Sequence, residues 1–258
     1  MLQGKTIVVT GVGSGLGREV ACQCVRDGAR VVIGARTEAQ LAAVAREADP
    51  GGERVAAVPT DITDPAACAR IVAEAERRFD GVDGLVQVAA YEYAMGGLFD
   101  GDLDAWRQSF ETNVIGALTV LRPVVEAMRR RGAGAVVLIG SQSMYLPLIE
   151  QMGYAASKGA LLSSMLYLAK ELGPSRIRVN TVVPSWMWGP PVEMYVAMQA
   201  KARGISKEEV VAEITRGIPL GAMAADEDVA QAVVFLLSER ARMITGQSLM
   251  VNGGELMR

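Results

Sequence analysis

Lys5-Thr6-Ile7-Val8-Val9-Thr10-Gly11-Val12-Gly13-Ser14-Gly15-Leu16-Gly17 is the stretch that decides the fold. Its first six residues are β-branched and apolar enough to read as a short buried strand. Glycines at 11, 13, 15 and 17 follow, and from Arg18 to Asp27 the residues Val20, Ala21, Cys24 and Val25 recur at helical spacing. Strand, glycine-rich turn and helix together present backbone N–H groups and a helix N-terminus to a pyrophosphate. Glycine is required where a Cβ would block the tight turn and the approach of the phosphates. The strict G-x-G-x-x-G spacing fails at Leu16; the spacing here is Thr10-Gly11-x3-Gly15-x-Gly17. Gly11, Gly13, Ser14, Gly15, Leu16 and Gly17 are the candidate cradle. A glycine-rich turn with no ligand is the bland alternative.

Working outward, Arg30-Val31-Val32-Ile33-Gly34 completes a β-α-β unit. An acidic residue at this strand's end would bond a ribose 2′-hydroxyl and exclude a 2′-phosphate. The chain instead has Ala35 followed by Arg36. A guanidinium grips phosphate through charge-assisted bonds worth roughly 1.5–3 kcal/mol, or about 10–150-fold in preference. The expectation is NADP(H) over NAD(H), with NAD(H) retained as the second cofactor. The alternative is that Arg36 is a solvated residue opening the next helix.

Tyr154 and Lys158 stand four residues apart in Tyr154-Ala155-Ala156-Ser157-Lys158, so on a helix they share a face. A free phenol titrates near 10 and is no base at neutral pH, and an ammonium beside it favours the phenolate. Lowering that pKa by about three units takes about 4 kcal/mol, which a cation and a bound nicotinamide ring would supply together. Alone, such a pair is common on surface helices.

In company with the turn, the pair resembles the compact branch of the short-chain dehydrogenase/reductase family. The similarity runs from Leu2 to Met257. Asp61-Ile62 matches the acidic–apolar pair that holds adenine in that family, and Asn113-Val114-Ile115-Gly116 matches its N-x-x-G stretch in the middle of a long helix. Ser141 precedes Tyr154 by the family's interval. Ile244-Thr245-Gly246-Gln247 and Asn252-Gly253-Gly254 match its C-terminal signature. The resemblance implies that Tyr154 is the general acid or base, and that Ser141 holds the substrate oxygen. Lys158 would lower the pKa of Tyr154 and bind the ribose. Asn113 would anchor a proton-relaying water. The bland readings are a helix-capping Asn113 and a strand-end Ser141. Ala89 and Pro184 would lie beside the cofactor.

Three departures stand out. Gln87-Val88-Ala89-Ala90 replaces the usual Asn-Asn-Ala-Gly, so the asparagines that tie the central strands are absent. Pro184-Ser185 replaces Pro-Gly, and Gly189 falls where a carboxamide-binding threonine often stands. Ser14 replaces the basic residue that many NADP-dependent members carry in the turn. NADP preference then rests chiefly on Arg36.

Composition agrees. At 258 residues, half of them hydrophobic, the chain reads as one α/β domain with a large core. The expected fold is a single Rossmann-like, doubly wound parallel sheet of about seven strands with helices on both faces. Strands are expected near 5–10, 30–34, 54–58, 84–89, 134–140, 177–183 and 247–251. Capping boxes are read at Thr37-x-x-Gln40 and Ser206-x-x-Glu209, and a cap before proline at Asp64-Pro65. A net charge of −3 without a Lys/Arg run argues against nucleic acid, and no apolar run suits a membrane. Met1-Leu2-Gln3 leads into the first strand without a signal peptide. Cys22, Cys24 and Cys68 read as reduced core thiols of a cytoplasmic protein. The absence of histidine excludes Ser–His–Asp hydrolysis and His-ligated metals, and no metal is expected.

Substrate information lies in Tyr91-Glu92-Tyr93-Ala94-Met95 and in a lid from 185 to about 217, opened by Trp186-Met187-Trp188. Ser143, Tyr91, Trp186 and Trp188 are the candidate contacts, and a bulky apolar ketone or alcohol is the expected partner. The alternative is that these aromatics pack the lid itself. No arginine cluster offers an anchor for a charged substrate. A divergent enoyl reductase would carry six residues between Tyr and Lys, not three. An NADP(H)-binding sensor or scaffold with little turnover is the rival from another class. By resemblance the assembly is a homotetramer or homodimer, with Met165, Leu166 and Ala169 as candidate contacts.

Overall fold

Every second residue of the first strand faces a different core. Ile7 and Val9 pack on one side of the sheet and Val8 on the other, all fully buried. The same alternation recurs at Val31 and Ile33 against Val32. A strand apolar on both faces belongs inside a parallel sheet covered on both sides. A computed structural model describes residues 1–257 and shows that sheet.

Seven parallel strands run in the order β3-β2-β1-β4-β5-β6-β7. They are β1 (Thr6–Thr10), β2 (Arg30–Ala35), β3 (Val55–Pro59), β4 (Gly84–Gln87), β5 (Gly134–Ile139), β6 (Ile177–Pro184) and β7 (Ser248–Val251). Pro59 sits at the end of an edge strand, where its missing N–H costs no ladder bond. Helices α1 (Leu16–Arg26), α2 (Glu38–Ala48) and α9 (Asp226–Leu237) cover one face. Helices α3 (Pro65–Phe79), α5 (Ala117–Arg131) and α6 (Met152–Leu172) cover the other. α4 (Leu103–Phe110) leads into α5, and α7 (Pro190–Arg203) and α8 (Lys207–Arg216), in the segment expected to be a lid, pack around a small core of Val196, Ala200 and Val210. Strand order reverses between β1 and β4, so a crevice opens at the carboxyl ends of those strands.

Local signals fare differently. Asp64 caps α3 by accepting from Ala66 N–H at 2.8 Å, ahead of Pro65. Ser206 and Glu209 form the reciprocal box at 3.1 and 2.8 Å. Thr37 stands at the N-cap of α2 but makes no side-chain cap bond, so the box expected with Gln40 does not form. The expected long helix around residue 113 is broken into α4, a wide π turn (Glu111–Gly116) and α5. Met165 and Ala169, candidate subunit contacts, are buried in the core beneath α6, and only Leu166 of the three is exposed. Asparagine ties are absent from the centre of the sheet, but Gln87 does related work. Its Oε1 accepts from the Thr10 hydroxyl on β1, and its Nε2 donates to Ala89 O at 2.9 Å.

Candidate active site

Helix α6 carries Tyr154 and Lys158 one turn apart, and the lysine Nζ lies 5.6 Å from the centre of the phenol ring. Lys158 is 3% exposed and donates one hydrogen bond, to Ile139 O at 2.8 Å. Ile139 ends β5, and two residues later Ser141 caps a single 3₁₀ turn, accepting from Ser143 N–H at 3.3 Å. The hydroxyls of Ser141 and Ser143 stand 2.9 Å apart. The Ser141 hydroxyl also acts on the Tyr154 phenol, favouring its ionised form. One strand end and the helix that follows it thus bring together Ser141, Tyr154 and Lys158.

The electrostatics differ from the expectation that Lys158 governs the phenol. Burial pushes Tyr154 well above its ordinary value and the Glu92 carboxylate adds to that, while the Ser141 hydroxyl opposes both. Lys158 itself is lowered to about 8 by burial, with Glu92 opposing. Burial raises Glu92 and Lys158 opposes it. A buried ammonium held by one carbonyl is too poorly solvated to dominate its neighbour.

Asn113 is buried in the π turn and its side chain is fully engaged. Its Oδ1 accepts from Tyr91 N–H at 2.7 Å, and its Nδ2 faces Tyr91 O, Ser109 Oγ and Ser157 Oγ at 3.0, 3.1 and 2.9 Å. Any water that Asn113 anchors must therefore meet the main chain. A π turn displaces a carbonyl from the regular helical ladder, which is why such turns recur at functional sites. Ser157 in turn donates to Tyr154 O at 2.7 Å, so the π turn is coupled to the helix that carries Tyr154 and Lys158.

The glycine turn suits a diphosphate. Gly11 has φ of 77°, and a Cβ there would overlap the backbone of Ala89. A Cβ on Gly17 would overlap the Gly11 carbonyl. Gly13 has a different role: its nearest neighbour in that direction is Gln40 Nε2 at 3.9 Å, which leaves open space above the turn. No side chain caps the N-terminus of α1, so its first N–H groups remain directed at that space. Arg36 is exposed at the end of β2. Asp61 is held below its ordinary value first by hydrogen bonds from the Thr63 N–H and hydroxyl, and also by the charge of Arg36. Those bonds use Oδ1 of Asp61 and leave Oδ2 without a protein partner among the described residues. The Ile62 side chain is buried beneath Gly116, so an adenine would meet its backbone. These residues fit a dinucleotide along the crevice.

The aromatics divide. The Trp186 ring packs 5.3 Å from that of Tyr195 in the lid, and Trp186 O accepts from Ala224 N–H at 3.2 Å. Trp186 thus ties α7 to the segment before α9, whereas Trp188 is 49% exposed. Ser143 lines a cavity of about 340 Å³ with Gly96, Leu148, Met152 and Ala155. A larger groove of about 1030 Å³ opens at the opposite ends of the strands, around Arg131 and Arg176, away from these groups.

Two acids escaped sequence reasoning as site residues. Glu92 lay in a loop singled out for its aromatics, yet its charge acts on both Tyr154 and Lys158. Glu255 accepts from Gln142 Nε2 at 2.8 Å and from the Ser185 hydroxyl, joining the turn after Ser141, the segment that follows β6 and the C-terminal segment. Asn252 Nδ2 reinforces this by donating to Gln142 Oε1 at 2.6 Å. No local pattern announces contacts between residues so far apart in sequence.

Comparison with known proteins is consistent with this geometry. Residues 11–255 match the family described as Enoyl-(Acyl carrier protein) reductase. The chain is 33% identical over 259 residues to an L-rhamnose 1-dehydrogenase (NAD(P)(+)) of Azotobacter vinelandii, covering 98% of this chain and 97% of that protein. It is 34% identical over 259 residues to an L-xylulose reductase of Bos taurus, covering 99% and 98%. A short-chain type dehydrogenase/reductase from Mycobacterium ulcerans superposes with a TM-score of 0.88 at 32% identity, covering 98% of this chain and 90% of that one.

Proposed function

The chain belongs to the short-chain dehydrogenase/reductase family and is an oxidoreductase acting on CH–OH groups with NAD(P)⁺; on that premise we propose that it interconverts a ketone and a secondary alcohol, prefers NADP(H) to NAD(H), and uses Tyr154 to carry the proton. One observation carries the reading. Lys158 reaches from beside the Tyr154 ring to Ile139 O at 2.8 Å, at the end of β5 two residues before Ser141, so Tyr154, Lys158 and Ser141 converge where a single substrate oxygen can meet them.

In reduction the phenol donates its proton to that oxygen, and a phenol raised by burial stays protonated at neutral pH until it is needed. Ser141 holds the oxygen in place. In oxidation Tyr154 accepts the proton, which requires nearby positive charge to favour the phenolate. When bound, the nicotinamide supplies or accepts the hydride. The Lys158 ammonium uses one donor on Ile139 O and keeps two for ribose hydroxyls. The π turn around Asn113 would hold the water that connects Lys158 to solvent. Arg36 would pair with a 2′-phosphate, and Asp61 Oδ2 would accept from the adenine amine.

The body of the substrate would lie against the lid and the cavity walled by Leu148, Met152 and Ala155. A ring ketone or acyl ketone suits those walls, and the rhamnose and xylulose of the relatives' names extend the class to hydroxylated frames. We further propose a cytoplasmic homotetramer, with exposed Ile115, Leu166 and Tyr167 offering the apolar surface such contacts need.

Tyr154→Phe tests the catalytic reading. It should abolish turnover of ketones while leaving NADPH affinity within about threefold. Turnover that survives the substitution would overturn it. An unmutated protein that binds NADPH but turns over no ketone or alcohol would favour the sensor instead.

A further inference from the structure

The wall of the cleft beside Tyr154 is the segment that follows β4, and it is clamped at both ends by the catalytic apparatus. At its start, the side chain of Asn113 bonds both the N–H and the carbonyl of Tyr91, at 2.7 and 3.0 Å. Three residues on, Ala94 O accepts from Tyr154 N–H at 3.4 Å. The rings of Tyr91 and Tyr93 meet edge to face at 5.5 Å, as residues two apart do when the chain is extended and both project to one side. Glu92 lies between them, on a backbone that cannot move away from Tyr154. Glu92 keeps more than a third of its surface open to solvent while enough atoms crowd its carboxyl to raise its pKa, and it has no hydrogen bond or ion pair with any described residue. It is nonetheless close enough for its charge to act on both Tyr154 and Lys158.

We propose that Glu92 selects the substrate: its carboxylate accepts hydrogen bonds from a hydroxyl adjacent to the reacting carbon, so the enzyme favours vicinal diols and α-hydroxy ketones. The inference rests on the carbonyl–alcohol reading of the site and adds a substrate class to it. An ionised carboxylate accepts from hydroxyls through short, charge-assisted bonds. A carboxylated or phosphorylated substrate would be repelled by it. A cationic substrate is disfavoured for the opposite reason, since it would meet the Lys158 ammonium and, in the oxidising complex, the charge of the nicotinamide ring. Neutral polyhydroxylated molecules satisfy the acid without a charge clash. The apolar cavity beside Ser143 then offers a surface for the C–H faces of such a frame.

The test separates this proposal from the catalytic reading by using binding rather than turnover. Tyr154→Phe, saturated with NADP⁺, is titrated calorimetrically with cyclohexane-1,2-diol and with cyclohexanol. The same titrations are repeated on Tyr154→Phe carrying Glu92→Leu or Glu92→Gln. The expected result is a preference for the diol of about tenfold or more that falls to about threefold or less with leucine and is partly kept by glutamine, which retains one acceptor oxygen. No preference for the diol, or one that survives Glu92→Leu, overturns the proposal. Oxidation of the diol by the protein with Tyr154 intact is followed separately, and its absence counts against the catalytic reading alone.

Discussion

Replacing Lys158 with methionine should destroy turnover and yet leave the protein, without added cofactor, at least as stable at neutral pH. Lys158 is 3% exposed, and burial brings its pKa from the ordinary 10.5 down to about 8. At about 1.4 kcal/mol per unit, holding the ammonium there costs the fold about 3 kcal/mol at pH 7. Methionine has a similar length, no charge and the flexibility to fill the same channel. Against the gain stands the Ile139 carbonyl, which loses its 2.8 Å donor, at a cost of about 1–3 kcal/mol. The net expectation at pH 7 lies between no change and about 2 kcal/mol in favour of the variant. The pH dependence is sharper. The folded pKa lies below the unfolded one, so the folded state holds the proton more weakly. The penalty is complete below about pH 8, fades as pH rises toward 10.5, and is gone above it. Between about pH 7 and about pH 10 the variant should therefore lose roughly 2 kcal/mol of its stability relative to the unmutated protein. Urea unfolding of both proteins, at one protein concentration and without cofactor, measures the difference. A variant less stable by more than about 1 kcal/mol at pH 7, or a difference that does not change with pH, would refute the account of Lys158 as a strained ammonium kept for chemistry.

Two further substitutions probe the crevice. Arg36→Ala should weaken NADPH binding about 10–150-fold while changing NADH affinity by less than about threefold, measured by fluorescence titration; equal losses would remove the 2′-phosphate contact. Glu255→Ala removes the acceptor shared by Gln142 and the Ser185 hydroxyl, so kcat should fall about tenfold or more with NADPH affinity little changed. Glu255→Gln, which keeps an acceptor oxygen, should recover part of that loss, and an unchanged kcat in the alanine variant would show that the C-terminal segment does not position Ser141.

The sequence by itself determined the parallel α/β sheet, the glycine turn and the one-turn pairing of Tyr154 with Lys158, while Asn113 and Ser141 were named through resemblance to a family. These are local matters. Runs such as Thr6–Thr10 and Arg30–Ala35 are apolar on both faces, the glycines recur within one turn, and a helix places residues four apart together. Asp64 and Ser206 were legible as caps because their partners lie two or three residues away. The failure at Thr37 shows the limit, since the same residue pattern does not oblige the side chain to bond. Only the tertiary structure decided how the site is tuned. It broke the long helix into a π turn at Asn113, turned Gln87 into the tie between central strands, and set the Trp186 ring against Tyr195. It also placed Glu92 within reach of Tyr154 and Lys158, and Glu255 against Gln142 and Ser185. The physical reason is common to all of these. Desolvation and charge act through space, and their sign and size depend on which groups the finished sheet and helices bring together, however far apart those groups stand in the chain.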